Sequence, residues 1–552
     1  MTLPPSASTL QERSVSDEPV RVETKPSSPW WKGATIYQIY PRSFQDTTGD
    51  GVGDLNGITQ RLEYVASLGV QAIWISPFFT SPMADFGYDV ADFCDVDPIF
   101  GTLSDFDRLV AKAHSLDLKV TIDQVYSHTS DQHAWFEESR NSRDNAKADW
   151  YVWADANADG TPPNNWQSVF GMGAWEWDAR RGQYYLHNFL REQPDLNLHN
   201  PEVQDAILDV TRFWLDRGVD GFRLDALNFG MHDQALTDNP VETEFKRPPT
   251  RPFDFQRHTN NMSQPEIVPF IERIRGVIDS HDRDIFSVAE VGGPRPLDEM
   301  KAFTQGGQRL NSAYAFDFLY AEALTADLVR KTQREWPGEF GEGWPSWAFE
   351  NHDAPRAVSR WRGDCPADRY SKLLALLLTS MRGNAFIYYG GELGLTQGKI
   401  AFEDLKDPEA ITNWPETLGR DGARTPMPWD GSGNDYGGFS EMKPWLPLQE
   451  DHRQNSVAAQ NADPKSVLNF QRATIALRNG CDILREGNIR FEGEKDLLVF
   501  DRILNGRTRR CVFNLTDKPL PYAGGVSSEL SVGESVKEGQ VPPYSGFVSL
   551  VG

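Results

Sequence analysis

The feature that most constrains the fold is an alternation of short apolar runs with longer amphipathic segments, which starts at Trp30 and produces eight apolar runs. The runs are rich in β-branched and aromatic residues, as buried parallel strands are, and the segments between them have helical length and periodicity. Eight strands that alternate with helices predict an α/β fold, the (β/α)8 TIM barrel. The predicted strands are residues 34–41, 70–78, 119–127, 219–227, 284–292, 313–318, 346–353 and 384–392.

The chain divides into five predicted parts. Residues 1–29 are polar and rich in Pro and Ser, and we interpret them as a flexible tail. The stretch 129–200, between the third and fourth strands, is too long for a loop and predicts an inserted subdomain that splits the barrel into 30–128 and 201–478. Short alternating runs separated by Gly, Pro and Asn turns predict an antiparallel β-domain over 479–552.

Composition excludes several classes of partner. The chain has 80 acidic and 55 basic residues and a net charge of −25, so nucleic acids and anionic membranes would repel it. No apolar stretch is long enough to span a membrane, and residues 1–29 lack the apolar run of a signal peptide. The four cysteines are scattered without a CxxC pair, which favours reduced thiols. We expect a cytoplasmic monomer or small homo-oligomer that acts on a small neutral substrate.

Polar side chains interrupt the predicted strands near their carboxyl ends. In a (β/α)8 barrel these ends face one opening, where active sites are built. A single carboxylate there is more often structural than catalytic, but several that converge repel one another, and function is the reason to keep them together. The residues concerned are Asp123 and His128 in the third strand, Arg223 and Asp225 in the fourth, Glu290 in the fifth, and His352 and Asp353 in the seventh.

Paired carboxyl groups of this kind suit cleavage of a glycosidic bond. The reaction needs one ionised and one protonated carboxyl group near neutral pH, and the pKa of the acid is raised by its surroundings. Arg223 lies two residues before Asp225 on a strand, so both side chains point to the same face and the guanidinium can keep the carboxylate charged. Asp225 is therefore suited to nucleophilic attack.

The order of short motifs along the chain resembles the α-amylase superfamily of glycoside hydrolases, in its α-glucosidase and oligo-1,6-glucosidase branch. Four motifs carry the resemblance, namely DQVYSH at 123–128, GFRLDA at 221–226, AEVGG at 289–293 and ENHD at 350–353. Further matches are YPRSF at 40–44, FGYDV at 86–90, QPDLN at 193–197 and RTPMPW at 424–429.

The resemblance implies a retaining, exo-acting α-glucosidase that releases glucose from short oligosaccharides such as maltose and needs no cofactor for catalysis. It implies that Asp225 is the nucleophile, Glu290 the acid/base and Asp353 the carboxylate that fixes the bound sugar. The implied sugar contacts are Asp85, Tyr88, His128, Arg223, His352 and Arg424. Asp85 and Arg424 are expected to bind the hydroxyls furthest from the cleaved bond and so to close the end of the pocket.

A second implied site is a structural Ca2+ or Mg2+ in the loop DTTGDGVGD at 46–54, which offers only oxygen ligands. The alternative interpretation is a Gly-rich turn with solvated carboxylates. The implied ligands are Asp46, Thr48, Asp50, Asp54 and the carbonyl of Val52. Two departures from the family pattern are Ser127, where amylases carry a calcium-binding Asn, and YYGGE at 388–392 in place of YQGEE.

Two other functions remain open from the sequence. A non-catalytic relative associated with a transporter would have lost the carboxylates, which are present here. A sucrose-active or trehalose-forming transglycosylase or isomerase would use the same residues, because the glycosyl-enzyme can pass to a sugar hydroxyl instead of water. Ala226 follows the nucleophile where relatives that prefer α-1,6 bonds carry Val, so we expect a preference for α-1,4 bonds.

Overall fold

The computed structural model describes residues 28–551 apart from 246–247, 335, 337–342, 416–418, 432, 434–435, 494–495 and 526. Its centre is a closed barrel of eight parallel strands, in which neighbours in the chain are neighbours in the barrel. This confirms the predicted α/β barrel. The strands, numbered β1 to β8 here, are Thr35–Ile39, Ala72–Ile75, Lys119–Val125, Gly221–Asp225, Phe286–Val291, Ser312–Ala315, Trp344–Ala348 and Asn384–Tyr388.

The strands are buried on both faces, which explains their continuous apolar runs. A compact cluster that includes Ile36, Trp74, Val288 and Phe386 fills the inside of the barrel. A larger core packs the outer faces of the strands against the surrounding helices. The long helices of this layer are Leu55–Ser67, Leu103–Ser115, Pro201–Asp216, Ile267–Asp279, Pro296–Thr304, Ala326–Arg334, Ala367–Ser380 and Val467–Asn479.

Local sequence signals set the limits of these helices. Asn200 caps Pro201–Asp216 by accepting a hydrogen bond from the backbone N–H of Glu202, and Gly218 follows the helix at a φ of 93°. Only glycine adopts such a φ without strain, so the chain can turn directly into β4. Shorter helices are Ala134–Asn141, Ala357–Trp361, Pro408–Thr412, Glu450–Gln454, Val457–Ala462 and Asp482–Glu486.

Two smaller β-structures flank the barrel. Between β3 and β4 the strands Trp153–Ala154, Trp175–Asp178 and Gln183–Leu186 form an antiparallel sheet, and Phe79–Thr80 pairs with Asp92–Val96 after β2. The C-terminal sheet is antiparallel, as predicted. Its strands, in spatial order, are Asn488–Phe491, Leu497–Leu504, Arg507–Asn514, Ser545–Val551 and Ser528–Val532, and Leu520–Pro521 pairs separately with Gln540–Val541.

One predicted strand is shorter than its sequence pattern suggests. The prediction of 346–353 placed His352 and Asp353 on the seventh strand, but β7 ends at Ala348. The side chain of Asn351 accepts hydrogen bonds from the backbone N–H groups of Asp353 and Ala354 at 2.9 and 2.8 Å, which turns the chain out of the sheet. Both functional residues therefore lie on a loop.

Several sequence-based expectations stay predictions. The limits 30–128, 129–200, 201–478 and 479–552 remain proposed boundaries, and the tail proposed for 1–29 lies outside the described residues except for its last two positions. No helix in the described part of the chain is both long and apolar enough to cross a membrane. All four cysteines are free thiols. Cytoplasmic location and a monomeric or small oligomeric state stay predictions.

Candidate active site

The carboxyl ends of β3, β4 and β5 bring together the predicted catalytic groups. In the register of the barrel, Asp123 lies opposite Arg223, and Val125 opposite Asp225. The strand β5 continues the row and contributes Glu290. The backbone N–H of Ala226 points at Oε2 of Glu290 from 3.4 Å, so the residue after the proposed nucleophile touches the proposed acid/base.

A single guanidinium holds three carboxyl groups. Arg223 is fully buried, and its Nη1 donates to Asp123 Oδ1 at 2.7 Å and contacts Oδ1 of Asp225. Its Nη2 lies 2.5 Å from Oε1 of Glu290, and its Nε donates to the hydroxyl of Tyr314 at 3.1 Å. Two neighbouring nitrogens of one planar group therefore contact Asp225 and Glu290, which keeps those two carboxyl groups close together.

This arrangement favours a protonated carboxyl group in the pocket. Burial raises the pKa of both Glu290 and Asp225 to about 7, against the opposing charge of Arg223, and raises the pKa of Asp123 to about 6. One cation cannot balance three ionised acids in a dry site. When Glu290 carries the proton, its charge no longer repels that of Asp225, and Arg223 then stabilises the ionised form of Asp225. The pair thus supplies an acid and a nucleophile.

Asp353 has the opposite electrostatic environment. Burial by itself would raise its pKa, but His352, Arg420 and Arg424 together lower the pKa of Asp353 well below its usual range. Arg424 Nη2 lies 3.0 Å and Arg420 Nη1 3.4 Å from Oδ1 of Asp353. This carboxylate stays ionised and can accept hydrogen bonds from sugar hydroxyls.

The histidines are neutral hydrogen-bonding groups. Burial lowers the pKa of His352 and of His128 to about 3. The side-chain amide nitrogen of Gln38 lies 2.8 Å from Nδ1 of His352, so the ring proton is placed on Nε2, which lies 3.1 Å from Oδ2 of Asp353 and contacts the hydroxyl of Tyr88. Tyr88 in turn donates to Asp123 at 3.1 Å, so the chain of contacts returns to Arg223.

The remaining predicted sugar contacts lie in the same pocket, and Asp85 and Arg424 pair with different residues there. Asp85 is buried, and its Oδ1 lies 2.7 Å from Nη2 of Arg420, whereas Arg424 pairs with Asp353. The side-chain amide of Gln193 donates to Oδ2 of Asp85 at 3.3 Å and lies 3.1 Å from Nε2 of His128.

Sequence reasoning missed Arg420 as a site residue. Its guanidinium contacts Asp85, Asp353 and Asp407, the last at 2.8 Å. The available signal was its position four residues before Arg424, because a turn of 3-10 helix at Asp421–Ala423 brings both guanidinia to the same carboxylate. Tyr314 and Gln193 were also missed as contacts, although Gln193 begins the motif QPDLN at 193–197; nothing in the local pattern of Tyr314 distinguishes it.

The loop predicted to bind a cation is held by hydrogen bonds. Asp46 accepts from the backbone N–H groups of Thr48, Gly49 and Gly51 at 2.8 to 2.9 Å and from the hydroxyl of Ser440 at 2.6 Å. Asp54 caps the helix Leu55–Ser67, and Asp50 accepts from the N–H of Val52 at 2.8 Å. Among the described residues no three His, Cys, Asp or Glu side chains form a metal-binding group. The oxygen donors match a hard cation in kind, and binding would require Asp46 to exchange a hydrogen bond for it.

The departures from the family pattern have local explanations. The hydroxyl of Ser127 lies 3.0 Å from Nδ1 of His128 and so orients that ring. Tyr389 donates to the carbonyl of Thr425 at 2.7 Å. A Cβ atom at Gly391 would lie 2.7 Å from Oε1 of Glu350, which explains why a small residue stands there.

Comparison with known proteins agrees with this geometry. A family model described as the catalytic domain of α-amylase matches residues 38–487. The chain is 53% identical to a probable α-glucosidase of Rhizobium meliloti (strain 1021), over 90% of this chain and 91% of that protein. It is 36% identical to an oligo-1,6-glucosidase of Parageobacillus thermoglucosidasius, over 89% and 91%.

Solved structures extend the similarity to three dimensions. An α-glucosyl transfer enzyme superimposes with a TM-score of 0.90 at 49% identity, over 95% of this chain and all of that one. Trehalulose synthase MutB from Pseudomonas mesoacidophila MX-45 superimposes with a TM-score of 0.86 at 32% identity and the same coverage. Because the family model, the sequence relatives and the superimposed structures each span most of the chain, the protein belongs to the α-amylase family of glycoside hydrolases.

Proposed function

We propose that the protein is a retaining, exo-acting α-glucosidase that releases glucose from the non-reducing end of short α-glucosides such as maltose. The observation that carries the proposal is the shared contact of Arg223 with Asp225 and Glu290, because one cation cannot offset both carboxyl charges. The relatives named α-glucosidase and oligo-1,6-glucosidase support the substrate class.

The geometry supports double displacement. Retaining enzymes keep the two carboxyl groups roughly 5 Å apart, whereas inverting enzymes leave room for a water between them at about 6.5 Å or more. A common guanidinium favours the short separation. Asp225 attacks the anomeric carbon while Glu290 transfers its proton to the leaving oxygen, and a covalent glucosyl-enzyme forms. Ionised Glu290 then takes a proton from water, which attacks the same carbon and frees Asp225.

The far end of the pocket supports exo action. Arg420 lies between Asp85 and Asp353, and Asp407 holds it from the other side. The ring of Phe170, from the segment between β3 and β4, lies 5.2 Å from the same guanidinium. A chain of sugars could not pass through this group of contacts, so a single glucose unit occupies the space in front of it.

Transfer of glucose to another sugar is the second candidate activity. Once the glucosyl-enzyme has formed, any hydroxyl that Glu290 can deprotonate competes with water. The 49% identical structure named an α-glucosyl transfer enzyme is consistent with this side reaction. Measuring oligosaccharide products at high maltose concentration would give the transfer-to-hydrolysis ratio.

The proposal is tested by the configuration of the first product. Proton NMR should show α-glucose forming before mutarotation, and a β product would refute the mechanism. Asp225→Asn should lower kcat about 10⁴-fold or more while the protein stays folded, because the nucleophile is lost. Asp209→Asn is the matched control, since that carboxylate is 76% exposed on a helix and should leave kcat unchanged.

We also propose that the loop at 46–54 binds a structural Ca2+ or Mg2+. Asp46, Asp50 and Asp54 with the Thr48 hydroxyl and the Val52 carbonyl would hold it, and the cation would fix the chain that leads from β1 into the helix Leu55–Ser67. Catalysis needs no contribution from it.

A further inference from the structure

Three chain segments that lie against the closed end of the pocket meet at one side chain, Arg251. This residue lies in the long connection after β4 and is largely buried. Its Nη1 donates to the backbone carbonyl of Val169, in the segment between β3 and β4, at 2.7 Å. The same nitrogen lies 2.9 Å from Oε1 of Glu409, in the connection after β8. One guanidinium therefore joins all three segments.

The joined segments lie directly against the sugar site. Asp407, two residues before Glu409, pairs with Arg420, which contacts Asp353. Phe170, next to Val169, packs its ring against Arg420 at 5.2 Å. Any displacement of the segments that Arg251 holds would change the space in front of these contacts.

A second contact supports the same junction. The side-chain amide of Asn413 donates to the carbonyl of Phe170 at 3.3 Å, and a Cβ atom at Gly171 would lie 2.8 Å from the Asn413 side chain. The segments after β3 and β8 are thus packed tightly at this point. The connection after β4 adds Asp254, whose carboxylate is 3.4 Å from Nε of Arg251 and orients it.

We propose that Arg251, through Glu409 and the Val169 carbonyl, is a specificity-determining positioning residue that keeps this end of the pocket closed and so restricts the enzyme to short substrates. The inference rests on the proposed α-glucosidase function. Burial raises the pKa of Glu409, and Arg251 offsets that cost. Loss of Arg251 removes this partner from a buried carboxylate, and loss of the Glu409 charge weakens the contact between the segments although Arg251 keeps Asp254. If this end opens, further sugars of a longer chain can lie beyond the bound glucose.

The experiment compares kcat/KM for maltotetraose and maltose in the wild type, Arg251→Met and Glu409→Gln. We expect the ratio of maltotetraose to maltose to rise about fivefold in each variant, and the double variant to add little because both changes break one contact. Arg257→Met is the matched control. It lies on the same connection, is exposed, and forms no ion pair with the described residues, so its ratio should equal that of the wild type.

The possible results distinguish failure of the proposed α-glucosidase function from failure of the proposed role of Arg251. Wild-type protein that hydrolyses neither p-nitrophenyl α-glucoside nor maltose would refute the α-glucosidase function and the inference with it. Active variants whose ratio stays within twofold of the wild type would refute the role of Arg251 alone. If Arg251→Met fails to fold, Glu409→Gln decides the question, because glutamine keeps the shape and an acceptor oxygen while removing the charge.

Discussion

At the scale of single residues, the proposed chemistry depends on how the single charge of Arg223 is shared among neighbouring carboxyl groups. Its guanidinium is fully buried and serves Asp123, Asp225 and Glu290 at once. A lysine could not replace it, because an ammonium group lacks the planar fork that addresses two carboxyl groups from neighbouring nitrogens. The acid and the nucleophile therefore depend on one side chain that does not react.

The pH dependence follows from Glu290. The acid must be protonated, and burial raises its pKa to about 7, so activity should fall as pH rises through that value. Tyr314 donates to Glu290 at 3.0 Å and stabilises its ionised form. In Tyr314→Phe the pKa of Glu290 rises further, so the alkaline limb of kcat/KM should move to higher pH while kcat/KM falls about tenfold. A limb that moves to lower pH would contradict this account.

A substitution at Ala226 tests the predicted preference for α-1,4 over α-1,6 bonds. The backbone conformation there also affects stability. Ala226 has φ 40° and ψ 37°, in the left-handed region where a β-branched residue is strained. Ala226→Val should raise the ratio of kcat/KM on isomaltose to that on maltose and also cost about 1–2 kcal/mol of stability. Ala226→Gly is the control, since it relieves the strain and should leave the ratio unchanged. An unchanged ratio in the valine variant refutes the steric account.

At the scale of elements, the loop at 46–54 after β1 is where cation binding can be tested. Thermal melting with Ca2+ in excess should give a Tm a few degrees above that with a chelator, because a ligand that binds only the folded state stabilises it, by about 2.7 kcal/mol at a hundredfold excess over Kd. Asp50→Asn keeps the acceptor for the Val52 N–H and loses the charge, so it should keep the chelator Tm and lose the shift. Equal melting in both buffers would refute the site.

At the scale of the whole molecule, two buried arginines join the barrel to the C-terminal sheet. Arg478 and Arg502 are fully buried and donate to backbone carbonyls, including those of Thr379, Ser380 and Met381. These carbonyls lie at the end of the helix Ala367–Ser380, where the helix dipole favours a cation. The two guanidinia therefore need no carboxylate partner there.

Replacing one of these two arginines should lower stability and leave catalysis unchanged. Arg502→Met should lower the free energy of unfolding by about 3 kcal/mol, because several carbonyls lose their donors, and it should leave kcat within twofold. The residue lies beyond the amino ends of the strands, away from the site. Arg507→Met in the same sheet is the control, since its contact with Asp482 is exposed and worth less than about 1 kcal/mol. Loss of kcat without loss of stability would contradict the assignment.

The sequence by itself determined the barrel and its eight strands, and it was enough to propose the three acids. Apolar periodicity reports which face of each element is buried, a local property that a single segment carries. Asp225 and Glu290 could be assigned because each lies within or at the end of a predicted strand, and parallel strands in a barrel point the same way. The contact of Asp225 with Arg223 followed from a spacing of two residues, whereas the contact of Glu290 with Arg223 came from the structure.

Only the tertiary structure decided which loop residues complete the pocket. Arg420 and Asp85 are separated by more than 300 residues, as are Ser43 and the Arg424 carbonyl. Neither spacing nor composition reports such contacts, because they depend on how the loops fold over the mouth once the barrel has closed. The meeting of Arg251, Val169 and Glu409 belongs to the same class, because closure of the barrel brings three distant loops to one end of the pocket.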